Sequence, residues 1–222
     1  MAPDPLFTSL LPGFLVLPLI GVFLGRLFPK FVFPAPSSKE REVAHCKQTA
    51  DLSIIVIVPF CVLTWGALLL FPPSFVVSSP VLTALETSWG RIGYVLQWEL
   101  FATILYAIFI LRVALARGSD PDAVRGNKTG VSSMVEFRSR VLNNTTEQLI
   151  LASFAHLGFA SVAPPLQAAL ITPAAVSMWI TGRILYVMGY TPENPLGREV
   201  GFELTLIPSL LCLSLALFHF FI

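Results

Sequence analysis

Six polar side chains sit at helical spacing in otherwise apolar stretches of this chain, and they are the residues best placed to do chemistry. Arg140, Asn144 and Glu147 are spaced i, i+4, i+7, and at about 100° per residue they share a narrow sector of one helix face. Arg183, Tyr186 and Tyr190 are spaced i, i+3, i+7 in the segment GRILYVMGYTPENPLGREVGF. Arg183 lies between MWITG and ILYVM, about two turns from the end of its helix, where a charge facing lipid is costly. An arginine buried there is expected to meet a carboxylate, and Glu147 on the neighbouring helix is the expected partner. Two roles fit these residues. One is structural: an interhelical ion pair, snorkelling or solvated charges, and interface-belt tyrosines. The other is a polar pocket for an anionic ligand near the membrane surface. Spacing alone leaves both open.

Other polar residues carry less. Glu99, in VLQWELFA, falls inside a hydrophobic segment and is expected to join the same cluster. Glu199 and Glu203 stand near the start of the last helix, where the macrodipole favours an acid. The three cysteines (Cys46, Cys61, Cys212) and three histidines (His45, His156, His219) are scattered. They show neither CxxC nor metal-ligand spacing, which predicts no disulfide framework and no metal site.

The elements that must position these residues are hydrophobic helices. Apolar residues make up 55% of the 222 residues and charged ones 12%, roughly half the usual charged share. Residues 52–71, 92–111, 148–171 and 199–222 are nearly free of ionisable groups, and about 20 apolar residues cross a bilayer. A soluble domain of this size would need charged surface on nearly every element, so the chain reads as an integral membrane protein. A net charge of +1 gives no field for a nucleic-acid partner.

Six spans are expected. The first, Leu6 to Phe28, lacks a basic leader and a cleavage site, so it reads as uncleaved. A polar connector, PAPSSKEREVAHCKQTA (34–50), leads to a second span over about 51–71, ended by Pro72-Pro73. The third covers about 92–114 and is followed by the polar loop RGSDPDAVRGNKTGVSSM. The next helix starts near Ser133, where Ser133-x-x-Glu136 has capping-box spacing, and it breaks at Pro164-Pro165. The fifth and sixth cover about 166–190 and 200–222. Lys and Arg fill the loops after the first, third and fifth spans and are missing from 72–90 and 163–166. This alternation predicts that both termini face away from the cytoplasm. It also predicts that the acceptor sequences at Asn127, Asn143 and Asn144 stay unglycosylated.

At RVLNNTTEQ and GRILYVMGYTPENPLGREVGF the sequence resembles the MAPEG family, membrane-associated proteins of eicosanoid and glutathione metabolism, over roughly residues 90–222. The resemblance implies an all-α integral membrane fold, a four-helix bundle here preceded by one or two additional transmembrane helices. Residues 1–89 would be the extension and 90–222 the family unit. It implies homotrimers in an endoplasmic-reticulum or other endomembrane bilayer, with glutathione as co-substrate bound between subunits. Arg140, Asn144 and Glu147 would hold the tripeptide, and Arg183, Tyr186 and Tyr190 would complete the pocket from the adjacent subunit. Arg198 falls near the arginine the family uses to stabilise the glutathione thiolate. A guanidinium beside a thiol of pKa about 8.5 raises its nucleophilic fraction.

The chain departs from the family's enzymes in its N-terminal extension, in its long third loop, and in Gln148, where some members carry a polar aromatic. The extension and GFELTLIPSL are similar to the mattrin-like branch, which lacks established catalysis. Two functions are therefore expected as alternatives. One is a glutathione-dependent transferase or peroxidase acting on lipophilic small molecules from the bilayer. The other is a non-catalytic membrane regulator or scaffold. A transporter is disfavoured, because no repeat relates the halves.

Overall fold

Apolar runs in a bilayer fold as helices because each segment must satisfy its own backbone hydrogen bonds. The computed structural model describes residues 39–77, 80–126, 130–190 and 198–222; the expected first span, Leu6 to Phe28, lies outside them. The helices are α1 (Lys39–Leu70), α2 (Ser74–Val77), α3 (Pro80–Ala84), α4 (Ser88–Gly118), α5 (Pro121–Val124), α6 (Ser133–Val162), α7 (Pro165–Gly189) and α8 (Glu199–Phe221). No strand occurs among the described residues, and the fold is an all-α membrane bundle. Three of these helices, α4, α7 and α8, are long and apolar enough to cross a membrane. The expected second span is the apolar part of α1, Ile54–Leu70, and the polar connector is already helical from Lys39.

Local chemistry sets the helix ends. Thr87 caps α4 by accepting from the Gly90 amide at 3.0 Å. The cap of α6 is Ser132, one residue before the expected Ser133, and it accepts from the Val135 amide. Glu136 therefore does not close a capping box; it pairs with Arg140 one turn on. The break between α6 and α7 falls where expected. Pro164 has no amide hydrogen to extend α6, and Pro165 takes the first helical position, which needs none.

The core is centred on α7, whose residues 168–179 are all buried. Ala168, Ala169, Ala174, Ala175 and Ser177 keep it slim, so neighbouring helices approach closely. From α1, Ile57, Cys61 and Trp65 are buried in one cluster with Phe159, Ile171, Met178, Ile207 and Cys212. The helix preceding the four-helix unit is thus packed into its core. From α4, Trp98 and Ala102 join Ala152, Val176 and Trp179. Helices α7 and α8 touch backbone to backbone. A Cβ on Gly201 would lie 2.2 Å from the Tyr186 nitrogen, and one on Gly182 would lie 2.8 Å from the Gly201 oxygen. Only glycine allows this approach, and it sets Arg183, Tyr186 and the start of α8 side by side.

Both ends of α4 are fastened by a charge. At its start, buried Arg91 donates from Nε to the Ala160 oxygen (2.7 Å) and from Nη1 to the oxygens of Leu85 (2.9 Å) and Glu86 (3.0 Å). Its Nη2 donates to Ser88 Oγ (3.0 Å) and the Ser161 oxygen (3.1 Å). Ala160 and Ser161 belong to the last turn of α6, whose carbonyls have no intrahelical partner. Just beyond the other end, Asp120 accepts from the amides of Asp122, Ala123 and Ser132. Those bonds, Ser132 foremost, pull its carboxyl down to about 2 and fold the polar loop against the start of α6.

Candidate functional site

The predicted residues converge where α6, α7 and α8 meet, toward the end that carries the Asp120 loop. Arg183 is fully buried. Its Nη1 donates to Asn144 Oδ1 at 2.8 Å, and its Nη2 to Thr205 Oγ1 at 2.6 Å. Thr205 passes its own proton to the Phe202 oxygen at 2.7 Å. The Tyr186 ring lies 4.5 Å from the Arg183 guanidinium, a cation–π contact. Nε of Arg183 is buried without a hydrogen-bond partner. No carboxylate reaches ion-pair distance of Arg183 among the described residues.

The expected Arg183–Glu147 pair does not form. Asn144 stands at the edge of the buried face of α6, whereas Glu147, about 60° further round, is exposed. Arg140 is exposed too and ion-paired to Glu136; it also interacts with the Tyr190 side chain. Tyr190 is nearly buried, stacked 5.6 Å from Tyr186 and 4.9 Å from Phe137. Arg198 lies with its guanidinium 4.9 Å over the Tyr190 ring and its Nε 3.6 Å from Glu199 Oε1, and it interacts with Tyr186. A single chain therefore brings together Asn144, Arg183, Tyr186, Tyr190 and Arg198. It leaves Glu147 and the Arg140–Glu136 pair on an outer surface.

That surface has a regular pattern. Glu136, Arg140, Asn143, Glu147, Ile150 and Phe154 are all exposed, at alternating spacings of four and three. The first four are charged or polar and the last two apolar, so one face of α6 passes from polar to apolar along its length. Glu147 stands at the middle of α6, where the two parts meet.

One participant is not visible in the motifs. Thr205 supplies the second acceptor for Arg183; its signal is the i+7 spacing from Arg198, which puts a hydroxyl on the same face of an apolar helix. Glu99 does not join the cluster. It lies 2.6 Å from His156 Nδ1 and accepts from Ser153 Oγ at 3.4 Å. His156, twelve residues after Asn144 on α6, is about 18 Å further along the helix. Glu203 is buried in the second turn of α8.

The arrangement gathers a buried guanidinium with an unpartnered N–H among the described residues, an amide, two phenols and a second, half-exposed guanidinium, a set of donors that chemically matches an anionic group. The sequence profile of the MAPEG family matches residues 94–218, more than half of the chain. Neither the curated proteins nor the solved structures contain a match.

Proposed function

Since the chain belongs to the MAPEG family, a glutathione- and eicosanoid-related group of membrane proteins, we propose that it binds glutathione at the Arg183 cluster and activates its thiol with Arg198. The observation that carries this reading is Arg183, wholly buried and, among the described residues, with no carboxylate at ion-pair distance and no hydrogen-bond partner for its Nε. A buried arginine whose charge is unopposed is expensive to maintain and is relieved by an anionic ligand. Asn144 and the tyrosines offer the hydrogen bonds that a tripeptide's carboxylates and amides require.

On this reading the unit is residues 90–222, with 1–89 as its N-terminal extension. Glutathione is the co-substrate, and a lipophilic electrophile arrives from the bilayer. The Arg198 guanidinium stabilises the thiolate, whose sulfur attacks the electrophile in a transfer or peroxidase reaction. Arg140 and Glu147 serve the site from the outer face of α6, where a neighbouring copy covers them. The continuous exposed face of α6, from Glu136 to Phe154, supports a homotrimer built on that face. Residence in the endoplasmic reticulum or another endomembrane belongs to the same proposal.

The test is an ultraviolet difference spectrum of the detergent-purified protein titrated with glutathione, run beside Arg198→Ala. A saturable thiolate band in the parent and none in the variant, with assembly intact, is the expected result. An equal band in both would remove Arg198 from its role. A second reading, a non-catalytic regulator on the same scaffold, is favoured by one contact: Glu199 already opposes the charge of Arg198. It predicts no thiolate band in either protein.

A further inference from the structure

Carboxylates are distributed unequally over the three arginines of the site. Among the described residues, Arg140 has Glu136, Arg198 has Glu199, and Arg183 has the neutral Asn144, Thr205 and Tyr186 ring. Within the Arg198–Glu199 pair the burial is also unequal. The Glu199 side chain is 11% exposed and that of Arg198 is 38% exposed. The carboxylate is therefore the enclosed member, and the guanidinium is the one that reaches out.

We propose that Glu199 is a charge brake on Arg198: it sets how strongly the guanidinium stabilises a thiolate, and so fixes the ionised fraction of bound glutathione. The proposal rests on the glutathione reading above and concerns a single step. The S–H bond breaks heterolytically, the electron pair stays on sulfur, and the proton leaves to water. The anion forms beside a guanidinium that already has a carboxylate 3.6 Å away. Its net stabilisation is the attraction to Arg198 minus the repulsion from Glu199. The two residues are adjacent at the start of α8, so the carboxylate stays within reach of the guanidinium and opposes it whenever the side chains meet as they do here. Glu199 acts through Arg198, which makes it a positioning residue. The favourable placement of any acid in a first helical turn does not account for its proximity to Nε. Glu203, one turn on and also buried, provides the comparison.

The experiment is a pH titration of the glutathione thiolate band on the full-length protein in micelles, with binding measured separately by calorimetry. In Glu199→Gln the midpoint falls by about one pH unit, while glutathione affinity below the midpoint stays within about threefold. In Glu203→Gln the shift is less than about a third as large, because the charge removed is farther from Arg198. Glu199→Asp draws the carboxylate back by one methylene and gives a smaller shift in the same direction; it decides the matter if the Gln variant fails to fold. An unmoved or raised midpoint in Glu199→Gln, or an equal shift in Glu203→Gln, overturns the brake. If the parent binds and ionises glutathione while the variants titrate like it, only the brake falls. If the parent binds no glutathione, the glutathione reading falls and takes the brake with it.

Discussion

Arg91 and Arg183 are both buried and stand toward opposite ends of the bundle, yet they are satisfied in opposite ways. Arg91 uses Nε, Nη1 and Nη2 on the oxygens of Leu85, Glu86, Ala160 and Ser161 and on Ser88 Oγ. Arg183 makes two hydrogen bonds, to side chains rather than backbone, and keeps Nε unpaired. Both pay desolvation, but only Arg91 recovers it fully within the chain. A saturated buried guanidinium holds a fold together. An unsaturated one, in an equally dry environment, keeps a donor to spare, which the proposed glutathione site would use. Asp120 belongs with Arg91: three backbone amides saturate it at the far end of α4.

The largest effect is expected from Arg91→Ala. It leaves four carbonyls without their donor and lowers stability by about 3–5 kcal/mol, read as thermal unfolding in detergent. Arg91→Lys recovers less than half, because one ammonium cannot span the same acceptors. An unfolding temperature equal to the parent's would show that the knot holds nothing. Next comes Arg183→Met, which swaps the unsaturated guanidinium for an apolar chain. Stability changes by less than about 1.5 kcal/mol, while glutathione affinity in calorimetry drops at least about tenfold. If Arg183→Met unfolds the bundle as Arg91→Ala does and the folded remainder binds normally, the contrast between the two arginines disappears.

The smallest effect concerns Asp120. Its folded carboxyl titrates at about 2, against roughly 4 in an unfolded chain. A depressed carboxylate stabilises the fold above the unfolded value, and that contribution is lost as pH falls from about 4 to about 2. Hydrogen exchange at the Ser132 amide should therefore accelerate over this window in the parent. Asp120→Asn should exchange faster at neutral pH and show no such acid step. A step of equal size in both proteins would assign it to another carboxylate.

Much of the bundle can be read from the chain alone. Pro164-Pro165 separates α6 from α7, and the polar triads lie on the helices that meet. The partner of Arg183 was not readable, because Asn144 and Glu147 differ by only about 60° around α6. That small rotation decides which of them faces α7, and it is set by the packing of the whole helix, whose buried face carries Val141, Thr145, Gln148 and Ala152. Glu99 and His156 are 57 positions apart, so no local pattern joins them. Arg91 belongs to none of the motifs, and its role shows only when the last turn of α6 is seen above it.

The Arg91 knot also bears on how the protein is made. Its acceptors at Ala160 and Ser161 lie 69 and 70 positions downstream, so α4 enters the bilayer before they exist. Until α6 has been synthesised and inserted, the guanidinium has only the hydroxyl and carbonyls of its own loop. The tie between α4 and α6 therefore forms only after the last turn of α6 has been made, although α4 is complete long before.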